Sequence, residues 1–193
     1  TSATDIAQNG IDEDCDGSDA PYTVTDLSAG DLIVTEIMYD PSAVTDANGE
    51  WFELKNVSGG QVDLDGLYVY DDGGSAFSVS GELIVEDEGY VVFGINDDST
   101  ANGGITVDYQ YSSWSLANTE DEVNLAESSS KSTVFDSVAY DEADDFWSAA
   151  MVDGSARGET LNLDSDHVDA DENDFAGHWC ISSTATSGGD YGT

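Results

Sequence analysis

The chain has 193 residues, 39% of them hydrophobic and 10% aromatic, which is enough for one domain with a buried core. Its 42 acidic residues face only Lys55, Lys131 and Arg157, and a formal net charge of -39 excludes nucleic acid and anionic membrane surfaces as partners. The longest apolar runs, such as Tyr90-Val91-Val92-Phe93, are of strand length and far from the roughly 18 residues of a spanning helix, so no membrane insertion is expected.

Of the acids, 29 are Asp and 13 are Glu. A merely solvated acidic surface is served as well by Glu. The Asp excess therefore points to turns and to loops that coordinate a hard cation, and only secondarily to salt adaptation. Residues 1 to 28 hold few large apolar side chains and read as an acidic lead-in segment that binds calcium, ahead of a β-sandwich domain over 29–193. The start at Thr1 without methionine fits a mature exported segment, secreted or held at the cell surface.

Within the lead-in, Asp12, Asp14 and Asp16 alternate and are followed by Gly17. That spacing aims three carboxylates at one Ca2+ while the glycine permits a sharp turn, and Ser18 offers its carbonyl. The twelfth position counted from Asp12 is Thr23 and not a bidentate Glu, so the full EF-hand pattern fails. Asp19 or the C-terminal segment is expected to complete the ligands, and a solvated acidic linker is the alternative.

From Asp31 onwards β-rich runs alternate with Gly, Asn and Asp punctuation. The spacing predicts strands at 32–39, 51–54, 67–70, 90–95, 106–111, 122–126 and 133–140. Turns are predicted at Asp72-Gly73-Gly74 and Asn102-Gly103-Gly104. Val123 and Leu125 alternate with Glu122 and Asn124, predicting one buried and one wet face, whereas 32–39 is apolar in both registers. A single short helix is predicted, within 141–152.

The stretch 164–174 returns to the acidic style, with Asp164, Asp166, Asp169, Asp171, Asn173 and Asp174 as a second, glycine-free cluster of candidate oxygen ligands. The loop 40–50, with Asp46, Asn48 and Glu50, and the loop 96–102, with Asp97, Asp98 and Asn102, are further candidates that ordinary turn chemistry explains equally well. Ligands made of oxygen argue for calcium over zinc or copper. Cys15 and Cys180 lie near opposite ends in polar contexts, so a disulfide between them is expected, against the alternative of two unrelated buried thiols. His167 and His178 lack a His-x-x-x-His spacing or a thiolate pair and read as surface residues.

Two sets of residues carry a family resemblance. Ile33-Val34-Thr35-Glu36-Ile37-Met38-Tyr39-Asp40-Pro41, Gly49-Glu50-Trp51-Phe52-Glu53-Leu54-Lys55-Asn56 and Val62-Asp63-Leu64-Asp65-Gly66-Leu67 together resemble the bacterial lamin tail domain. The run 118–125, the strand 136–140 and the closing Trp179-Cys180 with Gly188-Gly189-Asp190-Tyr191-Gly192-Thr193 extend the likeness. It departs from the family around Gly154-Ser155-Ala156-Arg157-Gly158-Glu159. The resemblance implies an all-β, immunoglobulin-like β-sandwich with Asp-rich terminal loops, serving as a structural or binding accessory module and carrying no catalytic residues. The lead-in Asn9-Gly10-Ile11-Asp12-Glu13-Asp14-Cys15-Asp16-Gly17 resembles a Cys- and Asp-rich metal-binding repeat of secreted bacterial proteins.

No Gly-x-Ser-x-Gly elbow and no phosphate-binding glycine loop occurs, so no enzyme is expected. The first functional reading is a calcium-binding structural or adhesive module, with self-association into a homo-oligomer or fibre as its sharper form. A carbohydrate-binding accessory domain is the second, using surface Trp and Tyr against a glycan: Trp51 and Trp179 read as core, and Trp114 and Trp147 are open. A polysaccharide hydrolase with two facing carboxylates is the third.

Overall fold

The computed structural model describes residues 3–141 and 157–182. The predicted helix and Trp147 lie outside the described residues. Among the described residues thirteen strands form: β1 Tyr22–Thr23, β2 Leu32–Met38, β3 Trp51–Asn56, β4 Val62–Asp63, β5 Tyr68–Tyr70, β6 Ala76–Ser78, β7 Ile84–Val85, β8 Tyr90–Gly94, β9 Tyr109–Gln110, β10 Glu120–Ala126, β11 Val134–Asp141, β12 Leu161–Leu163 and β13 Trp179–Ile181. One helical turn, α1 Asp46–Gly49, and two 3-10 turns, Ser165–His167 and Ala176–His178, complete them.

A six-stranded sheet in the order β13-β12-β2-β3-β8-β9 packs as a sandwich on a four-stranded sheet in the order β11-β10-β5-β6, and β1-β4-β7 make a small third sheet. The architecture is all-β and immunoglobulin-like. Every residue of β2 is buried, which explains its double apolar register: it is an inner strand of the larger sheet, between β12 and β3. Phe52 and Phe93 stack at 5.1 Å between centroids, and Trp114 meets Phe52 edge-on at 5.4 Å, so the core is aromatic at its centre.

Several local expectations are corrected. The strand 106–111 shrinks to β9 because the carboxylate of Asp108 accepts Val92 N at 2.9 Å where a ladder carbonyl would. Asn124 is buried rather than wet; it donates to Tyr70 O at 3.1 Å and accepts from the Ser137 hydroxyl at 2.5 Å. Both predicted glycine turns form, with Gly74 at φ +97° and Gly103 at φ +90°. The lead-in is tied to the sandwich at its far end, where β1 pairs in parallel with β4 and Val24 and Leu27 enter the core.

Cys15 and Cys180 are not joined: both thiols are free and exposed. Cys15 sits in the lead-in, which is anchored through β1 to the small sheet, whereas Cys180 lies on β13 at the edge of the six-stranded sheet. The Cys180 thiol donates to Asn162 O across the β12–β13 ladder at 3.5 Å.

Candidate metal centre

Short Asp side chains fold the lead-in onto itself by accepting from nearby backbone N–H groups. Asp12 takes Asp16 N at 3.1 Å on one oxygen and Gly17 N at 2.9 Å on the other. Asp14 accepts the same Asp16 N at 3.0 Å, and Asp16 accepts both Ser18 N and the Ser18 hydroxyl at 3.0 Å. Gly17 at φ +112° supplies the turn that the sequence spacing requires.

The fold adds one ligand candidate that the spacing did not reveal. Asp5 accepts Asp14 N at 2.8 Å, and one carboxylate oxygen from each of Asp5, Asp12, Asp14 and Asp16 lies within 4.8 Å of the others. Only a contact across nine residues marks Asp5 out, and no motif spacing reaches that far. Partial loss of hydration, with the charges of Asp16, Asp5 and Asp12 behind it, raises the Asp14 carboxyl above the ordinary Asp value.

Of these four, Asp5, Asp14 and Asp16 line a cleft of about 660 Å³ between the lead-in and the small sheet, together with Asp19, Asp63 and Glu82 among others. Ser18 lines it too. Asp19 Oδ2 accepts Gly10 N at 2.6 Å, while its Oδ1 is enclosed without a hydrogen-bond partner. All ligand candidates here are hard oxygens, and among the described residues no Lys or Arg lines the cleft, the chemistry that suits Ca2+.

The second acidic cluster behaves differently. Asp164 caps the first 3-10 turn by accepting Asp166 N at 2.9 Å, and Asp169 accepts Asp171 N at 2.9 Å. Asp164, Asp166, Asp169 and Asp171 are not drawn into a common group of ligand atoms. Asn173 is fully buried, and its amide donates to Asp136 Oδ2 at 2.7 Å, which makes it a core residue. Asp136 also accepts Val34 N at 2.7 Å beside the register shift in β2, and Ser137 N at 2.8 Å. Burial pushes the Asp136 carboxyl up to about 6 despite these donors.

The same segment draws together the two histidines. The rings of His167 and His178 stack at 3.5 Å between centroids, and Glu172 Oε2 lies 3.2 Å from His167 Nδ1 and 3.3 Å from His178 Nδ1.

The remaining loops are explained by turn chemistry. Asn48 and Asn96 pair at 3.0 Å, Asn102 donates to Asn96 O and Ile105 O, and Asn118 bridges Asp46 and Asp40. Glu50 is buried and accepts Leu116 N at 2.9 Å; burial pushes its carboxyl up to about 7. Trp51, Trp114 and Trp179 are all core residues.

The packed sheets and the Asp-folded loop at their flank define an immunoglobulin-like sandwich module with a carboxylate-rich cleft. The family model of the Lamin Tail Domain matches residues 25–142, more than half of the chain. The chain belongs to the lamin tail domain family. A search of curated proteins returns no match.

Proposed function

We propose that this chain is a non-catalytic structural or adhesive module that works outside the cell and is held together at its N-terminal flank by calcium. The observation that carries this reading is the convergence of Asp5, Asp12, Asp14 and Asp16 within 4.8 Å at one mouth of the cleft. Four carboxylates at that separation repel strongly unless a cation lies among them. Asp19, with an enclosed unpartnered oxygen on the same cleft, and Ser18 are the nearest groups to complete an oxygen shell.

Titration of the chelator-stripped protein with Ca2+, read by calorimetry and by thermal melting, tests it. Calcium is expected to raise the melting temperature and EGTA to lower it again. In the D12N/D14N/D16N variant the response should vanish. An unchanged melt in the wild type, with no heat of binding, sinks the reading.

Self-association is the adhesive form of this function. Among the described residues β11 has a strand neighbour on one side only, and its eight residues are long for an edge. Divalent ions that screen the charge of -39 would let two such edges approach. Sedimentation velocity with and without calcium distinguishes a calcium-dependent oligomer from a monomer under both conditions. The carbohydrate reading is the weaker one, since each described tryptophan is buried and offers no face to a sugar.

A further inference from the structure

The His167, Glu172 and His178 group has a chemistry different from the carboxylate cleft, and we propose that it binds one borderline transition-metal dication of the Zn2+ type. These are the only two histidines in the chain. One ring nitrogen from each and one Glu172 oxygen lie within 4.8 Å of one another. Two of the three separations are 3.2 Å and 3.3 Å, from Glu172 Oε2 to the Nδ1 atoms of His167 and His178. With metal–ligand bonds of about 2.1 Å, tetrahedral donors stand about 3.4 Å apart, so these edges already have the length such an ion demands.

The backbone places the three donors before any ion arrives. Leu163 and Trp179 pair across the β12–β13 ladder, and Asp164 N donates to His178 O at 2.8 Å, so the segment between them is a closed loop with both histidines at its base. Buried Asn173 anchors the middle of that loop to the core, next to Glu172. His178 Nδ1 also lies 2.8 Å from Glu172 O, a contact that metal binding at Nδ1 would replace. The imidazoles are stacked nearly parallel, 7° apart, and a bound ion requires them to splay; at 34% and 24% side-chain exposure they have room.

Two nitrogens and one carboxylate favour a borderline ion over calcium, which takes oxygens. The surrounding Asp164, Asp166, Asp169, Asp171 and Asp174 add a negative field that concentrates dications. In the absence of metal, Glu172 Oε2 lies between the two Nδ1 atoms; an ion bound there would take the Nδ1 lone pair of each neutral ring and leave the ring N–H on Nε2.

The experiment is Zn2+ titration against a colorimetric zinc chelator, with Ca2+ in large excess so that the carboxylate cleft is silent. The expected result is one Zn2+ per chain that calcium does not displace. Its affinity should fall roughly tenfold or more in H167A, in H178A and in E172Q. Imidazole resonances of the wild-type protein are followed by NMR in the same titration, which needs no variant to fold; both rings should shift together at one equivalent. The proposal is overturned if the wild type takes up no zinc under excess calcium. It is equally overturned if the H167A/H178A double variant, shown folded by circular dichroism, retains the site, or if only one ring shifts. None of these outcomes depends on whether calcium binds at the lead-in.

Discussion

The buried carboxyls of Asp136 and Glu50 make the protein sensitive to pH in an unusual direction. Burial raises Asp136 from 3.8 to about 6 and Glu50 from 4.5 to about 7. The folded state therefore keeps protons that the unfolded chain has already released. Their contribution favours folding at pH below about 4 and is lost as the pH rises through 6 and 7. For Asp136 the span corresponds to at most about 3 kcal/mol. Calcium-free melts between pH 5 and 7.5 should show a falling midpoint with rising pH, by roughly 5 °C or more, and D136N together with E50Q should flatten that slope. Asn173 supports the Asp136 carboxylate. N173A leaves Asp136 short of a donor and should cost about 2–3 kcal/mol in denaturant unfolding, with no change in calcium affinity. Composition places Asn173 among the acidic ligands of its segment; only the reach of its amide to β11 makes it part of the core.

At the scale of elements, the longer strands β2, β3, β8, β10 and β11 are legible as β-branched and aromatic runs. Strands β12 and β13 are not, because three residues carry no periodicity and exist as strands only by pairing with β2 and with each other. Glycine placement is a related case. Gly94 lies in β8 with Val107 packed onto it, and a Cβ there would stand 2.5 Å from Val107 Cγ2. G94A should cost about 1–3 kcal/mol in thermal or urea unfolding and move β9 away from β8. The Asp loop is the opposite case: Asp12, Asp14 and Asp16 with Gly17 are readable from spacing, and the structure turns them to one side. Asp5 is invisible to that logic, yet D5N is expected to weaken calcium binding as much as D16N does, measured by calorimetry.

For the whole molecule, charge sets the conditions of stability. Lys55 pairs with Glu88 at 2.7 Å, Lys131 lies 3.5 Å over the Tyr70 ring and Arg157 stands 3.7 Å from Asp40, so the three cations serve local contacts and leave the net charge unrelieved. Melting temperature should therefore climb with NaCl over the range in which the Debye length falls from about 30 Å to about 3 Å. Calcium should reach the same gain at far lower ionic strength if the lead-in cleft is its site; equal gains at equal ionic strength would mean screening alone.

The sequence by itself determined the β class, the family and the alternating Asp loop, because hydrophobic period, turn residues and short carboxylate spacing are local properties of the chain. The tertiary structure decided everything that depends on distant residues meeting. It left Cys15 in the lead-in loop and Cys180 on the edge strand β13, both as free thiols, withdrew Asn173 into the core beside Asp136, brought Asp5 to the other aspartates and stacked His167 on His178 around Glu172. No local pattern encodes such meetings, since each is fixed by which strands pair and by what the loops between them must bury.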